Sequence, residues 1–363
     1  MLVSDIGATS TVALQGEALH EEVFAAKPKP HNGFESFLYY IVYLPFLWVI
    51  SLLAFAHNSI LVVMKMKEDK RIDGFVDLLS KVSNKRKRKR LKKDFFSIAY
   101  EIGRNEQHYS TYFFDGVSSW NHQVKIHAAT ARVLDLFYRY EEDIKPILHR
   151  DSTGFWTKFW VGLMHNRIAV KHRLYLVVEA MERQVHLLED QGITTIRGCS
   201  VACGTVRAWR MLMELFPHLD FEITVIDKDP EAIGLAHESA RAMKMEHNFT
   251  FIIGDARTEI SNVYESGKRF HIVEMVGLND YLPDAIFVRL TRAIKKCLEK
   301  DGAYITANIA PNVEKIFLTG VLLWPMIYRR KEDFQALLEK VYTNSDVVSG
   351  MWGIHNIATC RNN

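Results

Sequence analysis

Small residues and acids that end short apolar runs carry the chemistry available to this chain. Ser200-Val201-Ala202-Cys203-Gly204-Thr205 reads as a tight turn between a strand and a helix. Small residues there let a ligand approach the backbone, and the helix start offers free N–H groups. Asp227 ends the run Val225-Ile226-Asp227, 23 residues after Gly204. That is about the spacing at which an acid meets ribose hydroxyls in a doubly wound sheet. Gly254-Asp255-Ala256 and Gly277-Leu278-Asn279-Asp280-Tyr281 end the next two runs. Each admits a plainer reading: Gly204 serves a turn, and Asp227 or Asp255 caps the following helix. Four such clusters in order favour one ligand site.

The elements that must position them alternate. Strands are expected over 196–201, 222–226, 249–253, 270–276 and 303–308, with helices over 206–216, 231–243 and 285–298. This alternation implies an α/β fold, a parallel sheet with helices on both faces and a ligand at the carboxyl ends of the strands. Helical periodicity covers His127–Arg139 and Asn166–Leu188, with Gly192 as the second helix's C-cap.

Residues 191–363 resemble the class I S-adenosylmethionine-dependent methyltransferases. Their first motif is an acid followed by Gly-x-Gly-x-Gly. Ser200 stands in the place of the acid, Ala202 of the first glycine, Gly204 of the second and Val206 of the third. The resemblance implies a Rossmann-like domain with a mostly parallel seven-stranded sheet, and S-adenosylmethionine as cofactor. Ser200, Ala202, Cys203 and Gly204 would face its methionine part, Asp227 and Lys228 its ribose, Asp255 and Ala256 its adenine. Gly277 and Leu278 would lie beneath it, near the substrate. The segment Leu298–Ala303 matches the turn before the fifth strand. The runs 276–284, 324–330 and 352–358 look like a bacterial family of methyltransferases whose substrate is not fixed.

Methyl transfer needs in-line placement of the acceptor and often a base. Candidates are Tyr109, Tyr112 and His108 in a stretch before the sheet, Asp280 and His355. Arg329 and Arg330 suit an anionic substrate. Asn166, Arg167 and Arg173 share a helix that could close the pocket, though ordinary surface charge explains them as well. Packing or solvation is the simpler account of every one of these. No His/Cys cluster has metal-ligand spacing, so no metal is expected.

The N-terminal half differs in kind. Residues 1–32 read as a flexible tail, 33–66 as an apolar helix, membrane-associated or buried, and 67–190 as a helical region with a basic segment at 81–93. Ser36 to Met64 holds no Asp, Glu, Lys or Arg across 29 residues. Between Lys65 and Lys93 stand 13 Lys/Arg against Glu68, Asp69, Asp73 and Asp77, a local net of +9 in a chain of net charge +3. Length, absence of charge and a basic flank point to membrane contact through 36–64 and 85–93, with the catalytic part in the cytoplasm. A soluble cytoplasmic protein with Pro45 and His57-Asn58-Ser59 in a broken core segment is the alternative. The basic run lacks aromatic residues, which disfavours nucleic acid. The expected function is methylation of a small or lipid-like acceptor. The rivals are transfer or cyclisation of the cofactor's aminocarboxypropyl arm, and a non-catalytic membrane-anchored scaffold. Four cysteines without a CxxC pair indicate a reducing compartment.

Overall fold

Short β-branched and aromatic runs separated by amphipathic helices build a seven-stranded sheet from Thr195 onward. The computed structural model describes residues 18–103, 105, 119–202 and 204–362. The strands are β1 (Thr195–Val201), β2 (Asp220–Asp227), β3 (Phe249–Ile253), β4 (Phe270–Val276), β5 (Leu298–Ile309), β6 (Asn344–Ser349) and β7 (His355–Arg361). Their order is β3-β2-β1-β4-β5-β7-β6. β1 to β5 run parallel, whereas β7 is antiparallel to both neighbours, so the sheet is mixed rather than purely parallel. That reversal brings His355, at the start of β7, beside Ile309 at the end of β5.

The chain divides into two compact units. One comprises 1–30, 166–312 and 326–363; the other comprises 31–165 and 313–325. The boundary expected near residue 191 therefore falls at 165/166. The helix expected over Asn166–Leu188 spans His165–Asp190, and nearly all of it counts with the sheet. Gly192 ends it as expected: at φ +76°, its N–H donates to Glu189 O and that of Ile193 to Leu188 O. This paired arrangement satisfies the last carbonyls of a helix.

The expected flexible tail also needs correction. Residues 18–24 are helical, Lys27 pairs with Glu179, and Phe24 lies 5.5 Å from the Tyr175 ring. Residues 1–17 lie outside the described residues. In the sheet unit, helices at Arg207–Leu215, Pro230–Ala242, Ala256–Glu265, Asp284–Cys297 and Lys331–Leu338 cover the strands. A core of Val201, Ile226, Val273, Met275, Phe287 and Phe334, among others, lies between them. Gly198 is required on β1, because a Cβ there would stand 2.1 Å from the fully buried Trp209 ring. The turn expected at Leu298–Ala303 is a bulge within β5: Leu298 pairs with Phe270 and Ala303 with Ile272, and Asp301 takes φ +63°.

The other unit is helical: α1 (Gly33–Glu68), α2 (Phe75–Ser83), α3 (Lys85–Gly103), α4 (Ser119–Ile126), α5 (Ala131–Arg139) and α6 (Lys315–Gly320). The helix expected over His127–Arg139 begins only at Ala131, because Ala129 takes φ +68°. α1 is continuous through Pro45 and His57-Asn58-Ser59, with a five-residue π-helical stretch at Tyr39–Tyr43. The buried-helix reading fails for most of it: 22% of its most apolar window is buried.

Candidate functional site

β1 runs through the centre of the sheet, and the turn after it keeps the backbone of a glycine-rich loop without most of the glycines. Ala202 has φ +56°, Gly204 +55° and Val206 +49°. These are the three positions where the resembled motif has glycine. Left-handed backbone is unfavourable for a residue with a Cβ, most of all a β-branched one, by about 1–2 kcal/mol. The fold therefore sustains strain to keep this turn. Ala202 N–H donates to Ile226 O at 2.8 Å, tying the turn to β2. Cys203 lies outside the described residues.

Asp227 is partly buried at the end of β2. Its carboxylate accepts from the backbone N–H groups of Asp229, Gly204 and Lys228, so it joins the turn after β1 to the end of β2. Burial raises its pKa, and those three donors oppose the rise. The helix that follows is capped by Asp229, which accepts from Glu231 N–H, so Asp227 is not the cap. Lys228 is exposed.

At the end of β3 the plainer reading holds for Asp255. It caps the helix Ala256–Glu265 through Arg257 N–H, and its carboxylate grips the Arg257 guanidinium at 2.8 and 3.0 Å. That contact holds its pKa below the usual range. Ala256 is the first, half-buried residue of that helix.

After β4, Gly277 takes φ +102°, where only glycine is comfortable, and the space where its Cβ would stand is open. Leu278 is half-buried and packs against the core. Gly277→Val is expected to cost about 1–3 kcal/mol of stability from backbone strain. It should also abolish binding at this edge by filling the open space. Urea unfolding and ligand titration measure the two effects; a variant as stable as wild type with full ligand affinity would contradict both.

A buried acid that the sequence did not single out stands beside Ser200. Glu274 sits inside the apolar run Phe270–Val276, register partner of Ser200 on β1, and accepts from Ser200 Oγ at 2.7 Å. The motif's missing acid thus has a carboxylate one strand away. Burial pushes Glu274 up to about 7, with the Ser200 hydrogen bond and the Arg173 charge pulling the other way. A lone acid in a strand of buried apolar residues was the available signal.

Asp280 and Arg173 complete a buried cluster. Asp280 Oδ1 accepts from Asn308 Nδ2 at 2.6 Å and Ile309 N–H at 2.7 Å, and Oδ2 lies 3.8 Å from Arg173. Burial raises Asp280 to about 6 against these partners. Its role is to tie the loop after β4 to the end of β5, which the catalytic-base reading did not foresee. His355 is 2% exposed, and neither ring nitrogen has a hydrogen-bond partner. Burial, then the charges of Arg173 and His172, hold it well below its usual pKa, so it is neutral.

The surface-charge account of Asn166, Arg167 and Arg173 is overturned, since all three are buried. Arg329 is not available to a substrate. It donates to Asp284 Oδ1, Asn279 O, Asn308 Oδ1 and Leu282 O. Arg330 is exposed and pairs with Asp333. Tyr109, Tyr112 and His108 lie outside the described residues. No group of three or more His, Cys, Asp or Glu suited to a metal occurs among the described residues.

Solved structures align with much of this chain at low sequence identity. A "possible exported protein" from Bordetella parapertussis aligns over 68% of this chain and 84% of its own, at 16% identity and TM-score 0.52. The methyltransferase SibL aligns over 76% and 77% at 12% identity and TM-score 0.43. Mitomycin 7-O-methyltransferase MmcR aligns over 69% and 71% at 16% identity and TM-score 0.40. No protein-family model and no curated protein sequence matches the chain.

The sheet order, with β1 to β5 parallel and β7 antiparallel, agrees with the seven-stranded Rossmann-like domain that the resemblance implies.

S-adenosylmethionine, the cofactor that the resemblance implies, can be tested against the residues at this edge. Open space stands where a Cβ would project from Gly204 and Gly277. Asp227 offers an acceptor of the kind a ribose diol needs. Glu274 and Arg173 offer the opposite charges that an amino acid's ammonium and carboxylate require.

Proposed function

We propose that the sheet unit binds S-adenosylmethionine at the carboxyl ends of β1, β2 and β4 and transfers its methyl group to a small or lipid-like acceptor. The observation that carries this reading is the run of left-handed backbone at Ala202, Gly204 and Val206, beside an acid at the end of β2. Strain of this kind persists where surrounding structure enforces it, and such sites are enriched in function. When bound, the cofactor supplies an electrophilic methyl group on a sulfonium.

The chain's residues do the rest. Asp227 accepts from the ribose hydroxyls. The turn at Ala202–Val206, with only a methyl at 202 and no side chain at 204, would let the cofactor lie against the backbone at those two positions. Glu274, when ionised, would supply the negative charge that Ser200 lacks for the cofactor ammonium, and Arg173 would favour its carboxylate. Gly277 leaves room beneath. Asp255 serves chiefly as a helix cap, and Ala256 would be left to flank the adenine.

The product identifies the reaction. Incubation with S-adenosylmethionine and a lipid and metabolite extract should yield S-adenosylhomocysteine. Methylthioadenosine in its place would assign transfer or cyclisation of the aminocarboxypropyl arm. Neither product, together with no cofactor binding, would leave a non-catalytic scaffold.

A further inference from the structure

α1 is 36 residues long, about 50 Å at the rise of an α-helix, and only one stripe of it is covered. Tyr39, Tyr43, Leu47, Ser51, Ala54, Val62 and Met66 are buried, at the spacing of one helix face. Polar bonds fix that stripe to its own unit. Tyr39 OH donates to Glu314 Oε1 at 2.8 Å, Tyr43 OH to Trp160 O at 3.1 Å and Asn58 Nδ2 to Gly320 O at 3.2 Å. Glu314 is fully buried and also accepts from His165 N–H.

The rest of the helix faces outward and is apolar. Phe37, Ile41, Leu52, Phe55, Ile60 and Met64 are each 59–67% exposed. The exposed hydroxyl of Ser59 donates to Phe55 O, so it asks nothing of the surroundings. α2 continues the pattern: Val76, Leu79 and Val82 are exposed, while Leu78 packs with Val62, Met66 and Ile98. Soluble monomers rarely leave an apolar surface this extensive in water.

α3 supplies the charge. Its C-terminal half, through Ile98 and Ala99, packs with α1, and Phe95 lies 6.4 Å from Phe55. Its N-terminal half presents Lys85, Arg86, Lys87, Arg88, Lys89, Arg90, Lys92 and Lys93 to solvent. Apolar helix faces joined to a dense cationic segment match one environment, a bilayer leaflet with anionic headgroups.

We propose that α1 and α2 lie in the plane of one anionic leaflet, apolar faces toward the acyl chains, with the cations at 85–93 on the headgroups. The helix does not cross. A crossing helix has lipid or membrane-embedded protein on every side, whereas the buried stripe of α1 is bonded at Tyr39, Tyr43 and Asn58 to a unit that carries a buried carboxylate and the α3 cations. Crossing would draw Glu314 and α6 into hydrocarbon, where polar groups must be fully satisfied. This inference does not rest on the cofactor assignment.

The test uses the full chain with phosphatidylcholine vesicles, with and without phosphatidylglycerol. The protein should float with the anionic vesicles and markedly less with the neutral ones. Replacing Lys87, Arg88, Lys89 and Arg90 by Ala should weaken partitioning by up to about fivefold for each charge removed. Leu52→Asp with Phe55→Asp, both exposed, should abolish flotation with the circular dichroism spectrum unchanged. Spin labels at Phe37→Cys, Leu52→Cys and Ile60→Cys should report similar, shallow depths. A depth profile with its maximum at mid-helix would overturn the in-plane arrangement in favour of a span. No flotation would overturn it altogether, whether the protein forms a dimer in detergent-free buffer or binds RNA instead.

Discussion

Arg329→Met is expected to lower the unfolding free energy by about 1–3 kcal/mol, the cost of leaving buried acceptors without their donor; its charged partner Asp284 is 64% exposed and leaves no buried charge behind. The side chain is 4% exposed, and its guanidinium bonds to four oxygen acceptors: one carboxylate, one side-chain amide and two backbone carbonyls. Through them it ties the loop after β4 to β5 and to the start of the helix Asp284–Cys297. Met fills similar volume but leaves Asn279 O, Leu282 O and Asn308 Oδ1 without this donor. Urea unfolding should show a lower midpoint with an unchanged slope. Arg330→Ala is the contrast: an exposed residue with one exposed partner, expected to change little. A near-neutral Arg329→Met would mean that the residue is free to meet a substrate after all.

Glu274→Gln should separate stability from binding. Folding raises the Glu274 pKa from the ordinary 4.5 to about 7. A group raised in this direction contributes stability that is fully present below its unfolded pKa and lost as pH rises through the folded one. Above pH 7 the wild type therefore carries a penalty on the order of 3 kcal/mol that Gln does not, since each tenfold change in proton affinity is worth about 1.4 kcal/mol. The variant should be the more stable at pH 8 and equal at pH 4, by urea unfolding. Its affinity for S-adenosylmethionine should fall roughly tenfold or more, since a hydrogen bond to a charged group contributes about 1.5–3 kcal/mol. The exchange Ser200→Asp with Glu274→Ser, which moves the acid to the motif's usual place, should recover most of that loss. Unchanged affinity in Glu274→Gln would remove the residue from the site.

The sheet was readable because its strands are short apolar runs with one kind of punctuation, and the observed bounds of β1, β3 and β4 differ from expectation by at most one residue. What escaped depended on neighbours rather than on sequence order. The Ser200–Glu274 pair exists because β1 lies beside β4, a contact across 74 residues. Asp255 looked like a ligand until Arg257, two residues on, was seen to fill its carboxylate. Arg329 looked like an anion site because its four acceptors lie between 21 and 50 residues away in sequence. The left-handed turn at Ala202 and Val206 was hidden for a different reason. Neither residue type favours that backbone, and only the surrounding fold imposes it. In the helical unit, composition marked α1 as apolar but could not say that one stripe is bonded to its own unit.

Titration of the purified full chain with S-adenosylmethionine by calorimetry, in mild detergent and beside Asp227→Ala, tests the central claim most directly. The account predicts saturable binding by the wild type, weakened roughly 10- to 100-fold or lost in the variant, as expected when an acceptor for two ribose hydroxyls is removed. Well-folded wild type that does not bind, or an Asp227→Ala variant that binds as tightly, would contradict it.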